Sequence, residues 1–203
     1  MGKSYRFNPT IKYKGITYAN KLDLTWAKFF ENLDWGCTYK KNNVFKFDIK
    51  IDNIKLKVMV VDTDNFKRLT EIQSKLTTNH QLPYLIVGYK LFDFYDMDYQ
   101  PNFQKIISNI DTFEQIHIIG LICYKMNGKH RSMVILCKDH NGKYSLCFYC
   151  DKYGWILDLN TSTEDDGKSY NMSCKSLLYE NMQKINNINE IDTMWHFAEK
   201  DTH

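Results

Sequence analysis

No stretch of this sequence approaches the roughly 18 consecutive apolar residues that a membrane-spanning helix requires, so no membrane partner is expected. The segment Met1–Lys14 is polar and basic with no apolar run behind it, so no secretory signal is expected, and the expected setting is intracellular, cytoplasmic. Nine glycines are scattered rather than clustered, and none builds a phosphate-cradling loop. Neither an internal repeat nor a low-complexity linker is present. Six cysteines lie among apolar and aromatic neighbours, and without a signal sequence they read as reduced thiols rather than a disulfide framework.

What is there suits a folded domain. A chain of 203 residues with 43% hydrophobic content can bury a substantial core without metal or disulfides. The net charge of +3 is too small to name a partner, but its distribution is uneven. Residues 1–60 carry twelve Lys/Arg against five Asp/Glu, a balance of +7, which leaves −4 for the other 143 residues. A basic N-terminal part suits a phosphate backbone or an acidic protein surface, and equally a solvated face.

Residues 8–19 read as a β-hairpin turning at Lys14-Gly15. Asn20 then caps a helix over 21–34, in which Leu22, Trp26, Phe29, Phe30 and Leu33 form one apolar face and Gly36 supplies the stop. A short strand is expected at 38–40. Residues 44–51 alternate, with Phe45, Phe47, Ile49 and Ile51 set against Val44, Lys46, Asp48 and Lys50. Residues 56–61 read as a central strand, followed by a helix over 66–77 capped by Asp62, Thr63 or Asp64, and by a buried strand at 84–88 after Pro83. Short helices are expected at 101–109 and 173–184. Antiparallel strands are expected at 117–126, 133–139, 144–149 and 154–159, with an Asn141-Gly142 hairpin turn, and a last helix at 190–200. The fold class is therefore α/β: a mixed central sheet with flanking helices over 1–100, extended by an antiparallel β-rich half with C-terminal helices over 101–203, the two packed as one unit.

Residues 12–62 carry a more specific pattern. Tyr13-Lys14-Gly15-Ile16 precedes a helix running Asn20-Lys21-Leu22-Asp23-Leu24-Thr25-Trp26-Ala27-Lys28-Phe29-Phe30, followed by Tyr39-Lys40 and then Phe47-Asp48-Ile49. This resembles phage-encoded members of the PD-(D/E)XK, restriction-endonuclease-like nucleases, with their Y-x-G hairpin, S-x-L-E-A-x-W-A-x-F-F helix, P-D strand and E-x-K strand. The order helix, strands, helix, strand is similar too, and Met194-Trp195-His196-Phe197-Ala198 is weakly similar to a closing helix of some relatives.

The resemblance implies a site where carboxylates hold Mg²⁺, the metal activates a water, and a lysine offsets developing charge. It assigns the catalytic positions to Asp23, Asp48 and Asp62, but places Met59 and Val61 where the E-x-K acid and lysine belong. Neither side chain can bind Mg²⁺ or orient water. The expectation is a catalytically eroded nuclease-fold protein with no cofactor. It would act by binding nucleic acid, or by binding a host defence protein as an inhibitor. The alternatives are an active Mg²⁺-dependent endonuclease with a migrated site and a plain nucleic-acid-binding module. Lys40, Lys41, Lys46, Lys50, Lys55 and Lys57 are the candidate phosphate contacts, with solvated scatter as the plain alternative. Cys137, His140, Cys147 and Cys150 have the pair spacing of a zinc site, set against buried free thiols on strands.

Overall fold

The computed structural model describes residues 10–51, 54–76, 84–92, 118–123, 125–126, 128–129, 132–138, 144–150, 155–158 and 188–200. The chain enters through a hairpin, β1 (Ile11–Tyr13) and β2 (Ile16–Tyr18), joined by Lys14 and Gly15 at φ 47° and 79°. Positive φ at both central residues is the turn geometry that matches the twist of a two-residue hairpin.

Helix α1 (Lys21–Asn32) begins where Asn20 Oδ1 accepts the Asp23 N–H at 2.8 Å. It stops earlier than the sequence suggests, and Gly36 is not its stop. Leu33 is the C-cap and Asp34 takes the left-handed position at φ 58°. The Asp34 and Trp35 N–H groups close back onto the Glu31 and Phe30 carbonyls at 2.9 and 3.0 Å. The Trp35 ring stacks on Phe30 at 5.9 Å, the apolar clasp that accompanies this helix ending. Aspartate tolerates that backbone better than most residues, and Gly36 instead opens β3 (Gly36–Tyr39).

Strands β3, β4 (Phe47–Ile51) and β5 (Ile54–Val60) form an antiparallel meander, and β6 (Tyr84–Val87) runs parallel to β5 after the crossover through α2 (Phe66–Leu76). Strand β4 starts three residues later than expected, because residues 43–45 bend. The cap of α2 is Asn65, whose Oδ1 accepts the Lys67 N–H at 2.9 Å, not Asp62, Thr63 or Asp64. Strand β7 (Ile118–Cys123) pairs with β6 and carries the sheet into the second half. There β10 (Ser132–Lys138), β11 (Tyr144–Cys150) and β12 (Trp155–Asp158) continue it antiparallel, in the order β12-β11-β10-β7-β6-β5-β4-β3. Strands β8 (Lys125–Met126) and β9 (Gly128–Lys129) make a separate ribbon. The protein is thus α/β with a mixed sheet. The expected helices at 101–109 and 173–184 and the Asn141-Gly142 turn lie outside the described residues.

The two faces of the sheet are covered differently. One takes α1, and α3 (Ile188–Lys200) packs on α1 in turn. The core there joins Trp26, Phe29, Phe30 and Leu33 to Phe47, Ile49, Leu56, Val58, Leu85 and Trp195. Trp26 is fully buried and donates its indole N–H to the Gly88 carbonyl at 2.8 Å, while Trp195 lies 4.7 Å from it, ring to ring. On the opposite face α2 packs over β6 and β7, where Phe66 meets Phe92 edge-on. Over β3, β4 and β5 that second face is left exposed or half-exposed at Thr38, Asp48, Lys50, Lys55 and Lys57.

Candidate nucleic-acid interface

The pleat of β4 decides where its charges go. Phe47 contacts Phe30 of α1, with ring centroids 5.5 Å apart, so the next residue, Asp48, lies on the face away from α1. Register extends this across the sheet. Asp48 stands opposite Thr38 on β3 and Lys57 on β5, and Lys50 stands opposite Gly36 and Lys55. Beyond β3 and β4 the ladder continues through the Lys40 N–H, which donates to the Lys46 carbonyl at 2.7 Å. Lys50, Lys55 and Lys57 therefore share one face with Asp48. Lys40 and Lys46 close it at the rim.

Directly opposed side chains have Cβ atoms about 5 Å apart, and alternate residues along a strand are about 7 Å apart. The result is a lysine array around a single acid. Lys40 Nζ is ion-paired with Asp48 Oδ2, both half-exposed. Lys46 Nζ donates to the Lys41 carbonyl at 2.9 Å, and its charge offsets part of the rise that burial gives the Asp23 carboxyl. Lys57 Nζ lies 5.8 Å from the Phe45 ring, which in turn rests on Tyr84 at 5.4 Å. Lys41 is exposed in the turn after β3, next to this rim, and its carbonyl accepts from Lys46.

The three acids assigned to catalysis do not come together. Asp23 is buried on the α1 side, 1% exposed, where the Tyr39 hydroxyl donates to its Oδ2 at 2.6 Å. The same hydroxyl accepts the Ala19 N–H at 2.9 Å, so Asp23 and Tyr39 pin the hairpin, α1 and β3 to one another. Burial pushes the Asp23 carboxyl up, and the hydrogen bond from Tyr39 pulls it back in part. Asp48 lies across the sheet from Asp23. Asp62 is exposed past the end of β5, five residues beyond the rung of Asp48, a separation on the order of 16 Å. A shared Mg²⁺ needs its oxygens within about 2.1 Å, so these acids cannot share one in this arrangement.

The register also moves the missing-acid position. The neighbour of Asp48 on β5 is Lys57, and Met59, 7% exposed, pairs with Ile86 under α2. Val61 lies beyond β5, its N–H bonded to the Val87 carbonyl at 2.9 Å. The sequence held the signal for Lys57. Only Asp52 and Asn53 separate β4 from β5, and a two-residue connection sets Ile51 against Ile54 and hence Asp48 against Lys57.

Among the described residues of the zinc set, Cys137 and Cys150 stand apart. Cys137 stands opposite Ser145, Cys147 opposite Ile135, and Cys150 opposite Ser132. Cys137 and Cys150 are thus five rungs apart, about 17 Å along the hairpin, too far for one tetrahedral ion. His140 lies outside the described residues. Among the described residues no group of three or more His, Cys, Asp or Glu stands close enough to hold a metal. Cys37 is half-buried, and desolvation first, with the charges of Glu31 and Asp48, pushes its thiol up to about 12, the wrong direction for a nucleophile.

A concavity of about 680 Å³ lies between β1, α1 and α3, lined by Tyr13, Lys28, Glu31, Met194 and Phe197 among others. Its polar groups are engaged internally: Lys14 pairs with Glu31, Tyr13 donates to Glu31 at 3.3 Å, and Asn32 donates to the Met194 carbonyl at 3.2 Å. No helix among the described residues is long and apolar enough to cross a membrane. Comparison with family models, curated proteins and solved structures finds no match for this chain.

Proposed function

We propose that this protein is a catalytically eroded nuclease-fold protein that acts by binding the phosphodiester backbone of nucleic acid through the uncovered face of β3, β4 and β5. The observation that carries this reading is the gathering of Lys50, Lys55 and Lys57 on one open sheet face, with Lys40 and Lys46 at its rim. The order α1-β3-β4-β5-α2-β6, with its antiparallel meander and parallel last strand, supports the nuclease-like part, because it is the order the sequence resemblance implies.

The chemistry of the face favours binding over cutting. A nuclease needs an acid beside Asp48 to share a metal, and here the neighbour is an ammonium. A lysine at that rung repels Mg²⁺ and attracts a phosphate directly. Lysine is a point charge without the planar fork that reads base edges, so the recognition is of backbone rather than sequence.

The test is titration of labelled nucleic acid in EDTA, with a parallel incubation in Mg²⁺ and Mn²⁺. Salt-sensitive binding without cleavage is the expected result. Metal-dependent cleavage lost in Asp48→Ala would restore the active endonuclease. Absent nucleic-acid affinity beside tight binding to an acidic host protein would transfer the role to protein inhibition.

A further inference from the structure

We propose that Asp48 is a built-in competitor for the phosphate, a carboxylate that occupies the centre of the lysine face and must be displaced before nucleic acid engages all of it. This inference rests on the reading of the face as a nucleic-acid interface and adds its regulation.

Asp48 is the one acid on the described residues of β3, β4 and β5. Its position is central: Lys57 stands across one rung, Lys50 and Lys46 lie two residues away along the chain, and Lys40 is ion-paired to Oδ2. The other oxygen, Oδ1, is buried and has no hydrogen-bond partner among the described residues. A carboxylate and a phosphate diester are both oxyanions that accept charge-assisted hydrogen bonds from an ammonium. Asp48 therefore stands where a bound phosphate would draw its contacts.

The pair is also easily exchanged. Its side chains are 38% and 40% exposed, and exposed ion pairs are weak and screened by salt. A purely structural role is poorly matched to the site, because the backbone ladder from Gly36–Lys50 to Tyr39–Phe47 already holds β3 to β4. With Asp48 in place, one lysine is neutralised before any ligand arrives. While Asp48 keeps Lys40, that lysine makes no phosphate contact, and only its release lets the whole face engage.

Charge arithmetic gives the size of the effect. Each phosphate neutralised on duplex DNA contributes about 0.9 to the slope of log affinity against log salt. At about 0.1 M salt that is about eight-fold in affinity per lysine released. The experiment measures anisotropy of a labelled mixed-sequence DNA duplex across a salt series for wild type, Asp48→Asn and the double variant Lys40→Met/Asp48→Asn. Asp48→Asn binds about eight-fold more tightly with a slope steeper by about 0.9. The double variant, which removes one charge of each sign, returns both values to those of wild type. Asp48→Ser repeats the direction with a second side chain, and thermal unfolding verifies that each variant is folded.

Wild-type binding with an unchanged or weaker Asp48→Asn overturns the competitor and leaves the interface standing. Absence of binding in every variant overturns the interface, and the competitor with it.

Discussion

Removing the cross-strand pair Lys50 and Lys55 isolates the electrostatic part of the proposed interface. These two residues face each other between β4 and β5, both exposed, so Lys50→Met/Lys55→Met removes two charges with little loss of packing. Four lysines of the array carry no ion pair to an acid among the described residues: Lys46, Lys50, Lys55 and Lys57. If each meets one phosphate, the slope of log affinity against log salt is about −3.6 on duplex DNA and about −2.8 on a single strand. Raising salt from about 50 to about 200 mM then weakens duplex binding about 150-fold. With two lysines left, the slope falls to about −1.8 and the same step costs only about 12-fold. The assay is an anisotropy titration at several salt concentrations, with Lys21→Met on α1, across the sheet, as a control outside the array. A double variant with the wild-type slope, or a wild-type slope near zero, refutes the reasoning.

Other outcomes follow from the core and from Asp23. Tyr39→Phe removes both the donor to Asp23 and the acceptor for Ala19 N–H, and unfolding in urea should register a loss of about 1–3 kcal/mol. Asp23 also ties stability to pH. Its carboxyl is raised above the ordinary 3.8, so the native state holds the proton more tightly than the unfolded chain. Its contribution is fully present below that ordinary value and is lost as pH rises through the raised native value. Asp23→Asn removes this dependence, and stability curves that remain parallel to wild type across the acidic range would contradict it. Trp26→Phe leaves the Gly88 carbonyl without its 2.8 Å donor and should cost about 1–3 kcal/mol, measured by chemical denaturation. Gly88→Ala puts a Cβ 2.5 Å from the Phe92 ring and 2.7 Å from the Thr63 carbonyl oxygen, and should lower stability by about 1–3 kcal/mol in the same assay.

Much of the scaffold is legible in the residues because one face of each element is strongly apolar. Trp26, Phe29, Phe30 and Leu33 mark the buried side of α1, and Phe47, Ile49 and Ile51 mark that of β4. The strands of the second half are legible from their bounded apolar runs, and their antiparallel neighbours follow from chain order. Local backbone chemistry is harder to read. Gly36 looks like the stop of α1, yet Asp34 takes the left-handed residue, since the Trp35–Phe30 clasp fixes which position must turn. The end of α1 is set by packing, and packing is invisible to propensity.

The site divides along the same line. Asp23, Asp48 and Asp62 are matched to a motif by residue type and order, and neither says which side of the sheet each occupies. A single pleat separates Phe47 from Asp48 and sends the carboxylate away from Asp23. The lysines of residues 40–57 are visible as a local excess of charge, but only strand register turns that excess into a surface. The same holds for the pairs Cys137-x-x-His140 and Cys147-x-x-Cys150: spacing along a chain becomes distance only after the ladder is known, and the ladder sets Cys137 and Cys150 five rungs apart.

Lysine footprinting tests the central claim most directly. The protein, alone and with a saturating mixed-sequence duplex, is treated briefly with an amine-reactive reagent, and each lysine is scored by mass spectrometry. Lys50, Lys55 and Lys57 should be protected by the duplex, while Lys12 on β1 and Lys21 on α1, across the sheet, should react equally in both states. Equal labelling of the sheet lysines with and without bound duplex, or protection confined to another surface, would contradict the account.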